Sequence, residues 1–132
     1  MNNREIRFRI WVKSEKKIYN WFGNEDIILD AIQYECGDEW TEDCEVMQYT
    51  GFKDQNGKEI YEGDIITNHA KSEFIPKIAE VKFCRGAYIA DCGSALLSMS
   101  FTQRMIEGTV EIIGNIFETP NLLKKIDKIQ QL

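Results

Sequence analysis

Hydrophobic and polar side chains alternate along several short stretches of this chain, which is the pattern of β-strands with one buried face. The clearest stretch covers residues 6–12, where every second side chain is isoleucine, phenylalanine or valine. A polar turn follows, and residues 18–22 are again rich in the aromatic residues that favour strands. We therefore predict an N-terminal β-hairpin.

The other face of the first predicted strand carries Arg7, Arg9 and Trp11. An exposed stripe of this kind could contact a partner. Large aromatic side chains are more often buried, however, so packing of this face by another element of the same protein is the favoured interpretation.

Further strands are predicted at short spacing from residue 45 onwards, with turn residues between them. The dipeptide Asn56-Gly57 favours the positive φ of a hairpin turn, and Arg85-Gly86 separates two more alternating stretches. The predicted strands cover residues 46–50, 59–61, 65–67, 79–84, 87–92 and 109–113. Short antiparallel strands joined by turns indicate a meander, which is common in small sandwiches and barrels.

Residues 26–34 are ambiguous. Their apolar side chains fit a short helix with Ile28, Ala31 and Ile32 on one face, but part of the segment also alternates as a strand does. We favour a strand or irregular structure here.

A short amphipathic helix is predicted at residues 119–132. Pro120 falls in its first turn, where proline is tolerated. An apolar stripe lies beside basic residues, formed by Leu122, Leu123, Ile126 and Ile129 beside Lys124, Lys125 and Lys128. We expect this stripe to pack on the protein's own sheet, and docking into a partner's groove is the alternative.

The composition is that of a folded domain, and the charge distribution restricts its partners. The chain has 132 residues, 43% of them hydrophobic, and a net charge of −6. Residues 1–20 carry a net charge of +4, residues 21–66 of −11 and residues 67–132 of +1. An acidic chain is poorly suited to coating nucleic acid, whose affinity comes mainly from Lys and Arg at phosphates.

The sequence shows no constellation of catalytic or metal-binding residues. The cysteines Cys36, Cys44, Cys84 and Cys92 lack the close C-x2-4-C spacing of structural zinc sites, and we expect them to be reduced. The acidic segment 36–43 and the single histidine, His69, fit no known site pattern, and neither does the Asp54 turn, whose glycine comes too early for a calcium loop. We predict no enzyme activity, cofactor or metal.

No apolar run approaches the roughly 18 residues that span a membrane, and the charged first residues lack the apolar core of a signal peptide. We therefore expect a cytoplasmic protein that does not bind membranes.

Three blocks of the sequence resemble the YopX family, small proteins of bacteriophages and prophages. Residues 47–66, MQYTGFKDQNGKEIYEGDII, resemble its central signature. Residues 4–11 are similar to its N-terminal strand, and residues 113–123 to its C-terminal signature. Val12 and Thr119 depart from the pattern, since an Asp commonly follows the Trp and an Asn usually precedes the Pro.

The resemblance implies that the protein originates from a phage or prophage of a low-GC Gram-positive host and has no established activity. It also implies a mainly β fold of the β-rich α+β kind. We expect an N-terminal β-hairpin and acidic-loop subdomain in residues 1–45, then a small SH3-like antiparallel barrel with a short C-terminal helix in residues 46–132. The signature residues, which we expect to be mostly structural, are Gly51, Asp54, Gly57, Tyr61, Gly63, Asp64, Gly114 and Asn115.

The favoured function is a non-enzymatic protein-interaction or self-assembly module of the phage, in the cytoplasm of its host. The partner would be another protein or a second copy, reached through strand edges or exposed side chains; the candidates are Arg7, Arg9, Trp11, Tyr49, Tyr61 and Trp40. The alternative is association with nucleic acid. Either the basic strand contacts phosphate, through Arg4, Arg7, Arg9, Lys13, Lys16 and Lys17, or the acidic region imitates DNA.

Overall fold

The computed structural model describes residues 5–33, 43–69, 78–84, 86–91, 99–100 and 110–123. Within these ranges the chain is mainly β, with two antiparallel sheets, one of them half-barrel-like, and one short helix. The strands are β1 (Phe8–Val12), β2 (Lys17–Tyr19), β3 (Cys44–Lys53), β4 (Glu59–Tyr61), β5 (Asp64–Asn68), β6 (Ile78–Cys84), β7 (Ala87–Asp91), β8 (Met99–Ser100) and β9 (Val110–Asn115). The helix is α1 (Glu25–Gln33). The expected fold class is confirmed.

The strands form sheets in the orders β2-β1-β3-β4 and β8-β7-β6-β5-β9. The hairpins predicted at the N-terminus and around Gly86 are present and antiparallel, with Trp11 opposite Ile18 in the first and Phe83 opposite Tyr88 in the second. The chain separates into two compact units, Met1–Tyr49 and Thr50–Leu132. The division falls within β3, a few residues after the expected one at residue 45.

The N-terminal unit is built around a core between its sheet and α1. Ile10 and Val12 of β1 are buried against Ile28 and Ala31 of α1. Partly buried side chains surround this core; they are Phe8, Tyr19, Trp21, Ile32, Cys44 and Val46. The helix thus covers the apolar face that the alternating pattern of the first strand had created.

The preference for a strand or irregular structure in residues 26–34 is wrong, because this segment is helical. Asn24, a favoured N-cap residue, precedes the helix, and its carbonyl accepts the first helical hydrogen bond from the Ile28 N–H at 3.0 Å. Glu25 and Asp26 then place negative charge in the first turn, where the helix dipole favours it.

The C-terminal unit has its own core, to which most of its strands contribute. The buried residues are Ile60, Ile66, Ala79, Val81, Ala90 and Val110. Residues 121–123 are helical, and Leu123 packs against this core, as expected for the apolar stripe of the C-terminal helix. Residues 124–132 lie outside the described residues, as do the acidic segment around Trp40, Cys36, Cys92 and most of residues 68–78.

Candidate functional site

Asp54 of the central signature organises a turn and also reaches the last strand. Its side chain is buried, and its Oδ1 accepts hydrogen bonds from the backbone N–H groups of Asn56 and Lys58, both at 2.9 Å. Its Oδ2 accepts a bond from the N–H of Ile112 in β9, at 3.1 Å. The carboxylate is therefore occupied by the protein's own backbone.

The same turn covers part of the outer edge of β9, the last strand of its sheet. Beside the Asp54 contact, the backbone N–H of Gln55 donates to the carbonyl of Val110 at 2.8 Å. An edge strand with unpaired backbone groups invites pairing with another chain. Between Val110 and Ile112 this edge is closed from within the protein.

The remaining signature residues also make internal contacts. Asp64 is almost fully buried, and its Oδ2 accepts a bond from the Tyr61 N–H at 2.8 Å, which tightens the turn that contains Gly63. Gly63 has a φ of 85°, a conformation that favours glycine, and its N–H donates to the Val81 carbonyl at 2.9 Å. Its own carbonyl accepts from the N–H of Ile116 at 2.9 Å.

Asn115 shapes the turn after β9. Its buried Oδ1 accepts hydrogen bonds from the N–H groups of Phe117 and Glu118, at 3.0 and 2.8 Å. Its Nδ2 donates to the Glu118 carboxylate at 2.8 Å. Gly114, immediately before it, lies so close to Thr119 and Leu122 that a Cβ atom would collide with both. The signature thus specifies turns and close packing.

Two aromatic residues of the partner-binding set do not lie on the surface. Tyr49 is 4% exposed and Tyr61 is 8% exposed, so the expectation that they are exposed is wrong. Tyr49 lies in the middle of a ten-residue strand beside β1, and its N–H donates to the Arg7 carbonyl at 2.8 Å. Trp11 is half-buried. Arg7 and Arg9 on the same face are half-buried as well, so this face is partly covered.

Arg7 is the centre of a compact group that we call the Arg7 cluster, formed by Glu5, Arg7, Phe22 and Tyr49. Its guanidinium carbon lies 4.8 Å from the Tyr49 ring centroid and 5.3 Å from that of Phe22, both within cation–π range. Its Nη2 also pairs with the Glu5 carboxylate at 2.9 Å. The Arg7 side chain is only 15% exposed as a result.

Arg9 and Lys13 of the basic strand also make internal contacts. The Arg9 Nε donates to the sulfur of buried Met47 at 3.4 Å, and Lys13 pairs with Glu45 at 3.3 Å. A phosphate would have to compete with these contacts for the same cations. Both cations are thus already engaged within the protein.

Phe22 contrasts with the buried tyrosines, because it is 68% exposed although its ring lies against Arg7. Sequence analysis did not single it out. It follows the half-buried Trp21 and precedes Gly23, whose φ is 88°. One sequence signal could have identified Phe22. It is an aromatic residue at the end of the predicted second strand, directly before a turn glycine.

Among the described residues, the other large apolar side chains that are exposed are Ile6, Ile27 and Leu29 in the N-terminal unit, and Phe83 and Ile113 in the C-terminal unit. Ile27 and Leu29 belong to α1, beside the exposed carboxylates of Asp26 and Asp30. The sequence interpretation overlooked this surface because it did not assign the helix.

Two of the titratable groups whose pKa is shifted are Cys44 and Glu80. Burial raises the pKa of the Cys44 thiol, and the nearby Asp43 and Glu15 carboxylates raise it further. Burial also raises the pKa of Glu80, and Lys82 only partly offsets the effect. His69 pairs with Glu111 at 3.0 Å. Within the ranges that the structure describes, no group of three or more His, Cys, Asp or Glu side chains could hold a metal ion.

In the described part of the chain, no helix is both long enough and apolar enough to cross a bilayer.

Comparison with known proteins gives a family and a fold. The family model described as "YopX protein" matches residues 7–124. A crystal structure of protein EF1440 from Enterococcus faecalis superposes with a TM-score of 0.63 and 24% identity, over 92% of this chain and 99% of that one. The crystal structure of protein yopX from Bacillus subtilis gives a TM-score of 0.53 and 19% identity, over 88% of this chain and 96% of that one. A search of curated proteins finds no match.

Proposed function

Since the chain belongs to the YopX family, we propose that it acts as a non-enzymatic protein-interaction module, an accessory protein of a phage or prophage in the cytoplasm of its bacterial host. The proposal is carried by one observation. The ring of Phe22 is exposed although it lies against the guanidinium of Arg7. The partner is another protein that covers this ring.

Phe22 has the properties of an interface anchor. Aromatic side chains dominate the binding energy of protein interfaces, and they do so best when little conformational freedom is lost on binding. The ring of Phe22 is already held against Arg7, and Arg7 is itself held by Tyr49 and Glu5. The Arg7 cluster therefore presents an exposed apolar ring that already has a contact within the protein.

The use of the signature residues supports a binding role over catalysis. Asp54, Asp64 and Asn115 are buried polar residues, the kind that often marks an active site. In this protein their oxygens accept hydrogen bonds from backbone N–H groups of nearby turns and of β9. Such residues hold the scaffold, and the surface is left for recognition.

A different protein is favoured over self-assembly through the last strand. The edge of β9 is covered between Val110 and Ile112 by Asp54 and Gln55, so a second copy cannot extend the sheet there without displacing that turn. Phe22 needs no strand pairing to engage a partner.

The test compares two exposed phenylalanines, one in each unit. Phe22→Ser removes the proposed anchor, and Phe83→Ser removes a ring of similar size that is 55% exposed. Each protein is immobilised, exposed to bacterial lysate, and its retained proteins are quantified by mass spectrometry. We expect a protein that is retained by the wild type and by Phe83→Ser but lost with Phe22→Ser.

Identical sets of retained proteins for all three would contradict the proposal. Thermal unfolding of each variant establishes that a loss of capture is not a loss of folding. Light scattering with absorbance at two wavelengths on the wild type reports self-assembly and bound nucleic acid, and salt-sensitive retention of nucleic acid would favour the alternative function instead.

A further inference from the structure

The outward face of α1 combines acidic and apolar side chains. Ile28 and Ala31 turn inward to the core of the N-terminal unit. Because an α-helix advances by 100° per residue, Asp26 and Asp30 lie on the opposite side, about one turn apart. Leu29 and Ile27, 48% and 42% exposed, flank these carboxylates.

The carboxylates on this face are not compensated within the protein. In the part of the chain that the structure describes, neither Asp26 nor Asp30 forms an ion pair, and the last turn of α1 contains no basic residue. Like charges one turn apart destabilise a helix slightly. The surrounding sequence adds to the negative charge, since residues 21–66 carry a net charge of −11.

From this we infer that the outward face of α1 docks a basic amphipathic segment of a partner protein, with Lys or Arg at Asp26 and Asp30 and an apolar side chain against Leu29. The inference rests on the proposed function and names the chemistry of the partner. Charge complementarity selects the occupant, because the carboxylates repel nucleic acid and anionic membrane surfaces alike. Helical segments that present apolar and charged positions one turn apart match this spacing.

A second copy of this helix is disfavoured as the occupant, since it would place carboxylate against carboxylate. The chain itself contains a basic amphipathic stretch of helical spacing at residues 122–129, with Lys124, Lys125 and Lys128. Docking of that stretch from a second copy is the competing arrangement, and the experiment separates it from a different partner.

The experiment uses a fluorescent peptide of about 18 residues, roughly five helical turns, made of Leu and Lys at helical spacing, and a matched peptide with Glu in place of Lys. The full chain is titrated as wild type, as Asp26→Asn/Asp30→Asn and as Leu29→Ser. The control is Glu15→Gln/Glu45→Gln, which removes the same charge from exposed residues outside the helix. Anisotropy is measured at low and high salt.

We expect the Lys peptide to bind the wild type and the control equally, and to bind both helix variants about tenfold or more weakly. Salt should weaken binding, since the contact is partly ionic, and the Glu peptide should not bind. Equal weakening by the control would overturn the inference, because attraction would then depend on net charge alone. Absence of binding to the wild type would overturn it as well.

Light scattering addresses the competing occupant. A wild-type dimer that dissociates in Asp26→Asn/Asp30→Asn would assign the face to a second copy and overturn the inference. The outcome for the proposed function is separate. Suppose that the helix variants still retain the protein captured through Phe22, but that the Lys peptide does not bind the wild type. The proposed interaction role then stands, and only the proposal that α1 forms the docking face is wrong.

Discussion

Asp54 and Ile112 lie 58 positions apart in the chain, yet the carboxylate of the first accepts a hydrogen bond from the backbone N–H of the second at 3.1 Å. The other oxygen of Asp54 shapes its own turn. One buried side chain thus fixes a local turn and attaches that turn to a strand formed much later in the sequence. This double use predicts that the C-terminal unit is sensitive to substitution of Asp54.

We expect Asp54→Asn to lower the free energy of unfolding by about 2–4 kcal/mol, because an amide can replace only one of the two accepting oxygens and its NH2 group would face a backbone N–H. Urea denaturation measures the change. The matched control is Gln55→Ala, since only the backbone of exposed Gln55 makes the β9 contact, and it should cost less than about 0.5 kcal/mol. Equal stability of the two variants would contradict the assigned role.

Gly114→Ala should lower the free energy of unfolding by about 1–3 kcal/mol, because the added methyl group meets Thr119 Oγ1 and Leu122 Cδ1. A double-mutant cycle with Thr119→Ala tests the cause. Thr119→Ala alone loses the hydrogen bond from the Asn115 N–H, but it removes the nearest clashing atom. Gly114→Ala should therefore cost less in the Thr119→Ala background. Strict additivity would show that crowding at Thr119 is not the reason.

We expect Glu80 to make the stability of the folded protein depend on pH. Burial raises the pKa of its carboxyl in the folded state, so folding favours the protonated form and stability decreases as pH rises through that pKa. Glu80→Gln removes this loss. We expect the variant to be at least as stable as the wild type near neutral pH, with the difference vanishing below about pH 4, where Glu is protonated in the unfolded chain as well.

Lys82 keeps a partner in this variant, because its ammonium lies 2.8 Å from the Asp91 carboxylate, and that contact raises the pKa of Lys82. The control is Glu45→Gln, in an exposed pair with Lys13, which should change stability by less than about 1 kcal/mol. Chemical denaturation at several pH values measures the free energy of unfolding of the wild type and of both variants. A Glu80→Gln variant less stable than the wild type at neutral pH would show that the Lys82 contact outweighs burial.

Alkylation should distinguish the two described cysteines. Cys84 is exposed, whereas Cys44 is half-buried and burial raises the pKa of its thiol. Iodoacetamide reacts with the thiolate, so Cys84 should be modified faster in the native protein at near-neutral pH. Peptide mass spectrometry over time measures both rates, and their ratio should approach one in denaturant. Equal rates in the native protein would contradict the difference in environment.

The sequence pattern predicted the strands well, because alternation with period two is a local signal. The turns at Asn56-Gly57 and at Gly86 depend on neighbouring residues only. The helix α1 was missed although its start signals were present. Asn24 and the acidic first turn indicate a helix start. The residues that follow, Ile27-Ile28-Leu29-Asp30, fit the period of a helix and also that of a strand.

The candidate site could be predicted only in part. Arg7 was singled out from the strand pattern, but its contacts with Phe22 and Tyr49 depend on how two separate segments meet it. No local signal gives such contacts, and for the same reason the pattern could not show that Tyr49 is buried. The link between Asp54 and Ile112 is non-local in the same sense.

The covered edge of β9 also sets an order of events during synthesis. The hydrogen bonds within the turn at residues 54–58 are local and can form as soon as the turn leaves the ribosome, whereas β9 closes a loop of more than 40 residues against β5. Until Asn115 has emerged, β5 can pair only with β6 in its sheet, and Asp54 lacks the N–H of Ile112. The C-terminal unit therefore cannot complete its folding before β9 is synthesised, and a nascent chain stalled before β9 exposes the edge of β5 and the Asp54 turn to chaperones.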